Sequence, residues 1–321
     1  MSRRALTIIA VLLAASVTLY AIGKGLFGRA GHAMMAKATS QGGPRKAGWF
    51  VGWLCTSLFS LVTLLAILPH IGVVMVAFSS DWYHSILPNG LTLSHFESAL
   101  GHNLTLSSIQ NSLKYASLAT ILDLILGVAI AYVVTRSQLP GRQILDAMAM
   151  LPLAVPGLVL AFGYLSMTQE GQLFSALNPT IDPLVILVIA YSVRRLPYVV
   201  RSAAAGFQQT SVTLEEAAHN LGCPPFKTLR KIALPLIAAN LLAGGLLAFS
   251  FAMLEVSDSL ILAQKQQDFP ITKAIYELFQ LLGEGRYIAS AFGVWTMIFL
   301  AITLTGASLL LGKKLGSLFR A

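Results

Sequence analysis

The chain has 321 residues, of which 56% are hydrophobic and only 11% charged, and its mean hydropathy is +0.73. A soluble domain carries charge on about a quarter of its residues, so this composition excludes one and indicates an all-α polytopic membrane protein, since helices satisfy their own backbone groups in lipid. The net charge of +9 does not indicate nucleic acid, because the basic residues lie between apolar runs, as topology signals do, and not along one stripe.

In chain order, residues 5–22 are apolar and just long enough to cross a bilayer, with Arg3 and Arg4 before them and Lys24 and Arg29 after. A signal peptide is the competing reading. Residues 25–48 are glycine-rich, basic and free of acids, as a flexible linker between membrane units would be. The stretch 55–78 is a second span without Lys, Arg, Asp or Glu, and 79–108 reads as an external loop with Asp81 and Glu97 but no basic residue. A third span, 109–135, turns at Pro140-Gly141 into a fourth, 144–168, where Pro152, Pro156 and Gly157 predict a kink or local opening. Residues 169–182 form another loop with acids only. The fifth span, 184–200, is interrupted by Arg194 and Arg195, whose guanidinium groups must snorkel or face protein. The sixth, 236–262, contains Glu255 and Asp258, and the seventh is 289–311. Between these two, residues 263–287 read as a mixed-charge loop.

Counting Lys and Arg in alternate loops gives sixteen on the side of residues 24–46, 136–142, 194–231 (Arg194 and Arg195 included) and the C-terminus, and five on the other. Lys114 falls inside the third span and is left out. The positive-inside rule then places the polar island 207–235 in the cytoplasm. It also favours a true first span, with its N-terminus outside, over a cleaved leader. The resulting organisation is an extra helix over 1–24, a cytoplasmic basic linker over 25–48, and a six-helix domain over 49–321.

The island is the most informative stretch. Thr213 and Glu216 fit a capping box, and Leu214, Ala217, Ala218 and Leu221 fall on one face of a short helix with small residues at its centre. Gly222 supplies a left-handed terminator and Pro224-Pro225 prevent continuation. The predicted product is a small knob with a face that a soluble partner can approach closely.

Glu216-Ala217-Ala218, three residues, Gly222, nine residues, Ile232, one residue and Leu234-Pro235 fill every fixed position of the pattern E-A-A-x3-G-x9-I-x-L-P. The chain, from about Trp49 onward, therefore resembles the permease subunits of binding-protein-dependent ABC importers of the type I fold. Leu139-Pro140-Gly141-Arg142, the run from Met150 to Gly157, and Arg195-Leu196-Pro197-Tyr198 resemble most the permeases for ferric iron, thiamine and phosphonates. The resemblance implies a coupling helix that seats in a groove of an ABC ATPase subunit through Glu215, Glu216, Ala217, Ala218, Leu221, Gly222, Ile232, Leu234 and Pro235. It further implies an extracytoplasmic solute-binding protein, a second permease half in a homo- or heterodimer, and a bacterial-type inner membrane. The first span resembles the last helix of a preceding half, so the chain is expected to be the distal part of a fused or split permease.

Asp123, Pro152, Pro156, Glu255 and Asp258 are the candidates for the translocation path, because acids and helix breaks inside a membrane face protein or water. Glu255 and Asp258, one turn apart, are expected to pair with Arg286 or Lys273. The chain has no G-x-x-x-x-G-K-[ST] phosphate loop, so ATP hydrolysis is expected in a separate subunit. No His cluster has metal-ligand spacing and the two cysteines, Cys55 and Cys223, form no framework, so no metal or other cofactor is expected. Two rival classes remain at this point. An ion-coupled secondary transporter would use the three acids and has no need of the island, and a membrane-embedded enzyme would have only those acids to work with.

Overall fold

The computed structural model describes Thr18 and residues 48–82 and 85–318; the rest of the first span and of the linker lie outside the described residues. It is helical throughout, and no strand ladder forms among the described residues, apart from one isolated bridge between Ser79 and Leu91. The long helices are α1 (Trp49–Phe78), α3 (Asn103–Arg136), α6 (Leu184–Gln209) and α11 (Gly285–Leu318), with the short α2 (Ser94–Leu100) between the first two.

Helix α1 is apolar on nearly all sides, and Ala77 is its one buried residue, a surface suited to lipid. Three of its four hydroxyls fold back onto the backbone four residues earlier. Thr56 Oγ1 donates to Gly52 O at 2.9 Å, Thr63 Oγ1 to Phe59 O at 2.8 Å, and Ser57 Oγ to Trp53 O. This satisfies polar groups that hydrocarbon would otherwise strand.

The fourth span, where a kink is expected, is sharply broken, and so is the sixth, where none is expected. The fourth consists of α4 (Arg142–Met150), a 3-10 turn over Leu151–Ala154 and α5 (Gly157–Met167), bent by 105°. Pro156 and Pro152 lack the N–H groups that would continue the ladder. The sixth enters through Pro225–Leu236, which includes a π-turn at Leu229–Ala233, and bends by 77° into α8 (Ala238–Met253). It breaks again before α9 (Ser257–Leu262).

By length and apolarity α1, α3 and α11 each suffice to cross a membrane, and the two bent pairs raise the number to five among the described residues. Helix α6 has 26 residues, about 39 Å at 1.5 Å per residue. It has the length of a span while carrying Arg194, Arg195 and Arg201.

Helix α6 lies at the centre. Glycines let α3 and α8 approach it closely, so that a Cβ on Gly127 would meet Val199 at 2.7 Å and one on Gly244 would meet Ser202 at 2.7 Å. Residues 263–287 are not the open loop expected from their mixed charge. They contain α10 (Ile271–Phe279), which buries Ile271, Ala274 and Leu278. Asn111 Nδ2 donates to Gln267 O at 2.7 Å, and Ser112 Oγ accepts from the Ile271 amide at 2.8 Å. The apolar period of this short helix was hidden by Lys273 and Glu277, which pair with each other at 2.8 Å.

Candidate functional site

The polar island folds as a knob. Helix α7 (Thr213–Asn220) follows α6 after three residues. Its start differs from the expected capping box, for Val212 is the cap residue and no side chain caps the helix. Thr213 turns its hydroxyl to Ser211 Oγ at 2.7 Å instead. The end is as expected. Gly222 has φ +81°, its amide reaches His219 O at 2.9 Å, and the Cys223 amide reaches Ala218 O at 2.9 Å. These two bonds form a Schellman closure.

Within α7 the predicted docking residues divide between two directions. Ala218 and Glu215 are buried, whereas Leu214, Glu216, Ala217, Leu221 and Gly222 are exposed, Leu221 at 89% and the nearby Phe226 at 76%. The knob thus shows an apolar outer face, flanked by exposed Lys227, Arg230 and Lys231. Ile232 and Leu234 are half-buried, and Leu234 packs against the core cluster that includes Phe207 and Ile237, while Pro235 is exposed at the bend.

Glu215, expected to face a partner, points inward. Its Oε1 accepts from Arg136 Nε at 2.9 Å, with both side chains under a tenth exposed. The same guanidinium donates from Nη2 to Thr210 O at 3.0 Å and Thr210 Oγ1 at 2.9 Å. Arg136 is the last residue of α3, and nothing in its spacing to Glu215 marks the pair in the sequence.

A second constellation lies at the breaks. Glu255 and Asp258 pair with Arg194 and Arg195, not with Arg286 or Lys273 as the sequence suggested. Arg194 Nε lies 3.3 Å from Glu255 Oε2 and 3.5 Å from Asp258 Oδ2, and Arg195 Nη2 contacts Glu255 Oε2. Arg286 instead donates to Tyr287 Oη and Trp82 O. The two arginines sit well inside α6, so they face protein and do not belong to the loop charges; removing both leaves the charge asymmetry intact. Glu255 Oε1 also accepts the Ser257 amide at 3.1 Å, closing the start of α9, where a carboxylate is favoured. Arg194 runs directly over the start of α5, where a Cβ on Gly157 would fall 1.7 Å from Nη2 and 2.5 Å from Ser257 Oγ. One side chain therefore meets the breaks of both discontinuous spans. Pro152 and Pro156 are half-buried beside this point. Asp123, on α3, is fully buried and accepts from Ser192 Oγ at 2.6 Å. Among the described residues no group of His, Cys, Asp or Glu is arranged to hold a metal ion.

The chain is similar to several known proteins. A probable sulfate transport system permease of Nephroselmis olivacea is 29% identical over 265 residues, covering 81% of this chain and 88% of its own. The ferric transport system permease protein of Actinobacillus pleuropneumoniae is 31% identical over 170 residues, which are 52% of this chain but 24% of that protein. A probable molybdenum ABC transporter permease of Haloferax volcanii is 31% identical, covering 53% and 64%. The fold matches that of a bacterial ABC transporter involved in import of the acidic polysaccharide alginate, with a TM-score of 0.64 at 17% identity over 81% of this chain and 96% of that one. The family described as binding-protein-dependent transport system inner membrane component matches residues 123–314, more than half of the sequence, and the chain belongs to that family: it is an all-α membrane protein with the type I importer fold, a permease of an ABC importer for a small solute.

Proposed function

We propose that the outer face of α7 is the coupling surface, lying on the cytoplasmic side and seated in a groove of a separate ABC ATPase subunit. The observation that carries this reading is the apolar exposure of Leu214, Ala217 and Leu221 on a knob whose end is fixed by Gly222. A large exposed apolar patch on a polar element calls for a protein partner, and the flanking Lys227, Arg230 and Lys231 suit a groove with an acidic rim. Glu216, Ala217, Leu221 and Gly222 make the contact. Ala218, Ile232, Leu234 and Pro235 hold the knob at its angle to α8, and Glu215 serves the same purpose from below.

ATP-driven closure of two nucleotide-binding subunits moves the knob, and with it α6 and α8, opening a path toward an external solute-binding protein. The second permease half comes from a partner polypeptide or a second copy, in a bacterial-type inner membrane. The path runs past the breaks at Pro152, Pro156, Glu255 and Asp258, with Asp123 behind them. The solute is ferric iron or a similar small ion or phosphonate, in keeping with the iron, sulfate and molybdenum that the relatives' names carry. The test is co-purification of the ATPase subunit with the wild-type chain and with Leu221→Asp, together with ATP-dependent uptake of ferric citrate, sulfate, molybdate and 2-aminoethylphosphonate. Loss of the ATPase from the variant supports the reading; full retention together with unchanged uptake overturns it.

A further inference from the structure

We infer that Arg136 is a splint across the joint between α6 and α7, a positioning residue that makes the knob a lever and not a hinge. The inference rests on the docking reading of α7 given above. Helix α6 ends at Gln209, Thr210 is extended at φ −100° and ψ 138°, and α7 begins at Thr213 without a side-chain cap. Three residues with two soft dihedrals each join the element that receives force to the element that must move. Left alone, such a joint bends under load, and displacement of the knob dissipates there.

Arg136 closes the joint from outside. It donates to Thr210 O and Oγ1 on the α6 side and to Glu215 Oε1 on the α7 side. A planar guanidinium holds its donors in a fixed fork, so both sides are set at a defined angle. Its carbon lies 5.6 Å from the centroid of the buried Phe207 ring on α6, and Tyr132 Oη adds a long contact of 3.5 Å to Glu215 Oε2. Water competes little, since the two charged side chains are 9% and 8% exposed.

The anchor itself is stiff. Arg136 ends the 34-residue helix α3, which lies on α6 at the close approach of Gly127 to Val199. The load therefore enters α3 as well as the two spans that flank the knob in sequence, and the moving body comprises α3, α6 and α7.

The test uses the permease purified with its ATPase subunit, in a Cys55→Ser, Cys223→Ser background. Nitroxides at Leu139→Cys and Asn220→Cys report the joint. A second pair, at Leu106→Cys and Leu282→Cys, reports the far end of α3 with and without ATP and vanadate. The parent is expected to give a narrow distance distribution at the joint and a shift at the far end on trapping. Arg136→Ala should keep the ATPase bound and still trap nucleotide, yet broaden the joint distribution and lose the far-end shift. The charge-exchanged pair Arg136→Glu with Glu215→Arg should restore part of that shift, and Arg136→Lys, which keeps the charge without the fork, should fall between. If Arg136→Ala gives the parent's width and full shift, the splint is wrong. If Leu221→Asp retains the ATPase, the docking reading fails on its own account. If Leu221→Asp releases it while Arg136→Ala behaves as the parent, the splint alone fails.

Discussion

Arg194 provides the sharpest energetic test of the interior. In Arg194→Leu, Glu255 keeps its contact with Arg195, but Asp258, 1% exposed, loses the cation 3.5 Å away. At that distance two unit charges attract by about 5 kcal/mol at an effective dielectric constant of about 20. Removing one partner of a buried pair costs about 3–5 kcal/mol, because the other charge remains in a medium that solvates it poorly. The double variant Arg194→Leu, Asp258→Leu removes both charges and leaves Glu255 and Arg195 as a neutral pair. It should recover most of the loss, since apolar replacement of a whole buried pair is often neutral. Reversible unfolding of the purified protein in mixed micelles, followed across the four corners of the mutant cycle, measures this. A double variant no more stable than Arg194→Leu would refute the account, showing that Arg194 acts through packing on Gly157 and not through charge.

Gly222→Val places a branched side chain at φ +81°, where left-handed backbone costs about 1–2 kcal/mol. Membrane insertion should remain normal while ATP-dependent uptake falls, which assays on proteoliposomes with ATP in the lumen and the binding protein outside will show. Gly127→Val drives a side chain into Val199, only 2.7 Å from the position of the new Cβ, and should destabilise the fold by about 1–3 kcal/mol, with partial relief from a second change, Val199→Ala. The pair of Arg201 with Asp146, 3.2 Å apart and with the arginine half exposed, should contribute less than about 1 kcal/mol, so Asp146→Asn leaves the unfolding midpoint nearly unchanged.

Most of the architecture was legible in the sequence because bilayer thickness dictates span length. The apolar runs at α1, α3 and α11, the breaks at Pro152 and Pro156 and the left-handed terminator at Gly222 follow from local chemistry. What escaped was set by pairing across the fold. Arg194 and Arg195 announced a need for buried acids, and Glu255 and Asp258 are two of the three intramembrane acids, so the match was available. Sequence alone puts the arginines at the end of a seventeen-residue apolar stretch, whereas they lie in the interior of a 26-residue helix. The buried pair Arg136 and Glu215 left no such sign, as each looks like an ordinary loop charge, and α10 disguised itself by carrying its own ion pair between Lys273 and Glu277. Thr213 could have capped α7, but Ser211 competed for its hydroxyl.

The charges inside α6 bear on how the chain enters the membrane during synthesis. Arginine near the middle of a nascent helix opposes its partition into lipid by about 2.5–3.5 kcal/mol, and α6 has two such residues in succession. The acids that neutralise them lie some sixty residues later, beyond α8. Helix α6 is therefore a poor membrane segment when it first emerges and becomes a good one only when Glu255 and Asp258 arrive. Its release into the bilayer must wait for the sixth span, so that the two leave the insertion machinery as a pair.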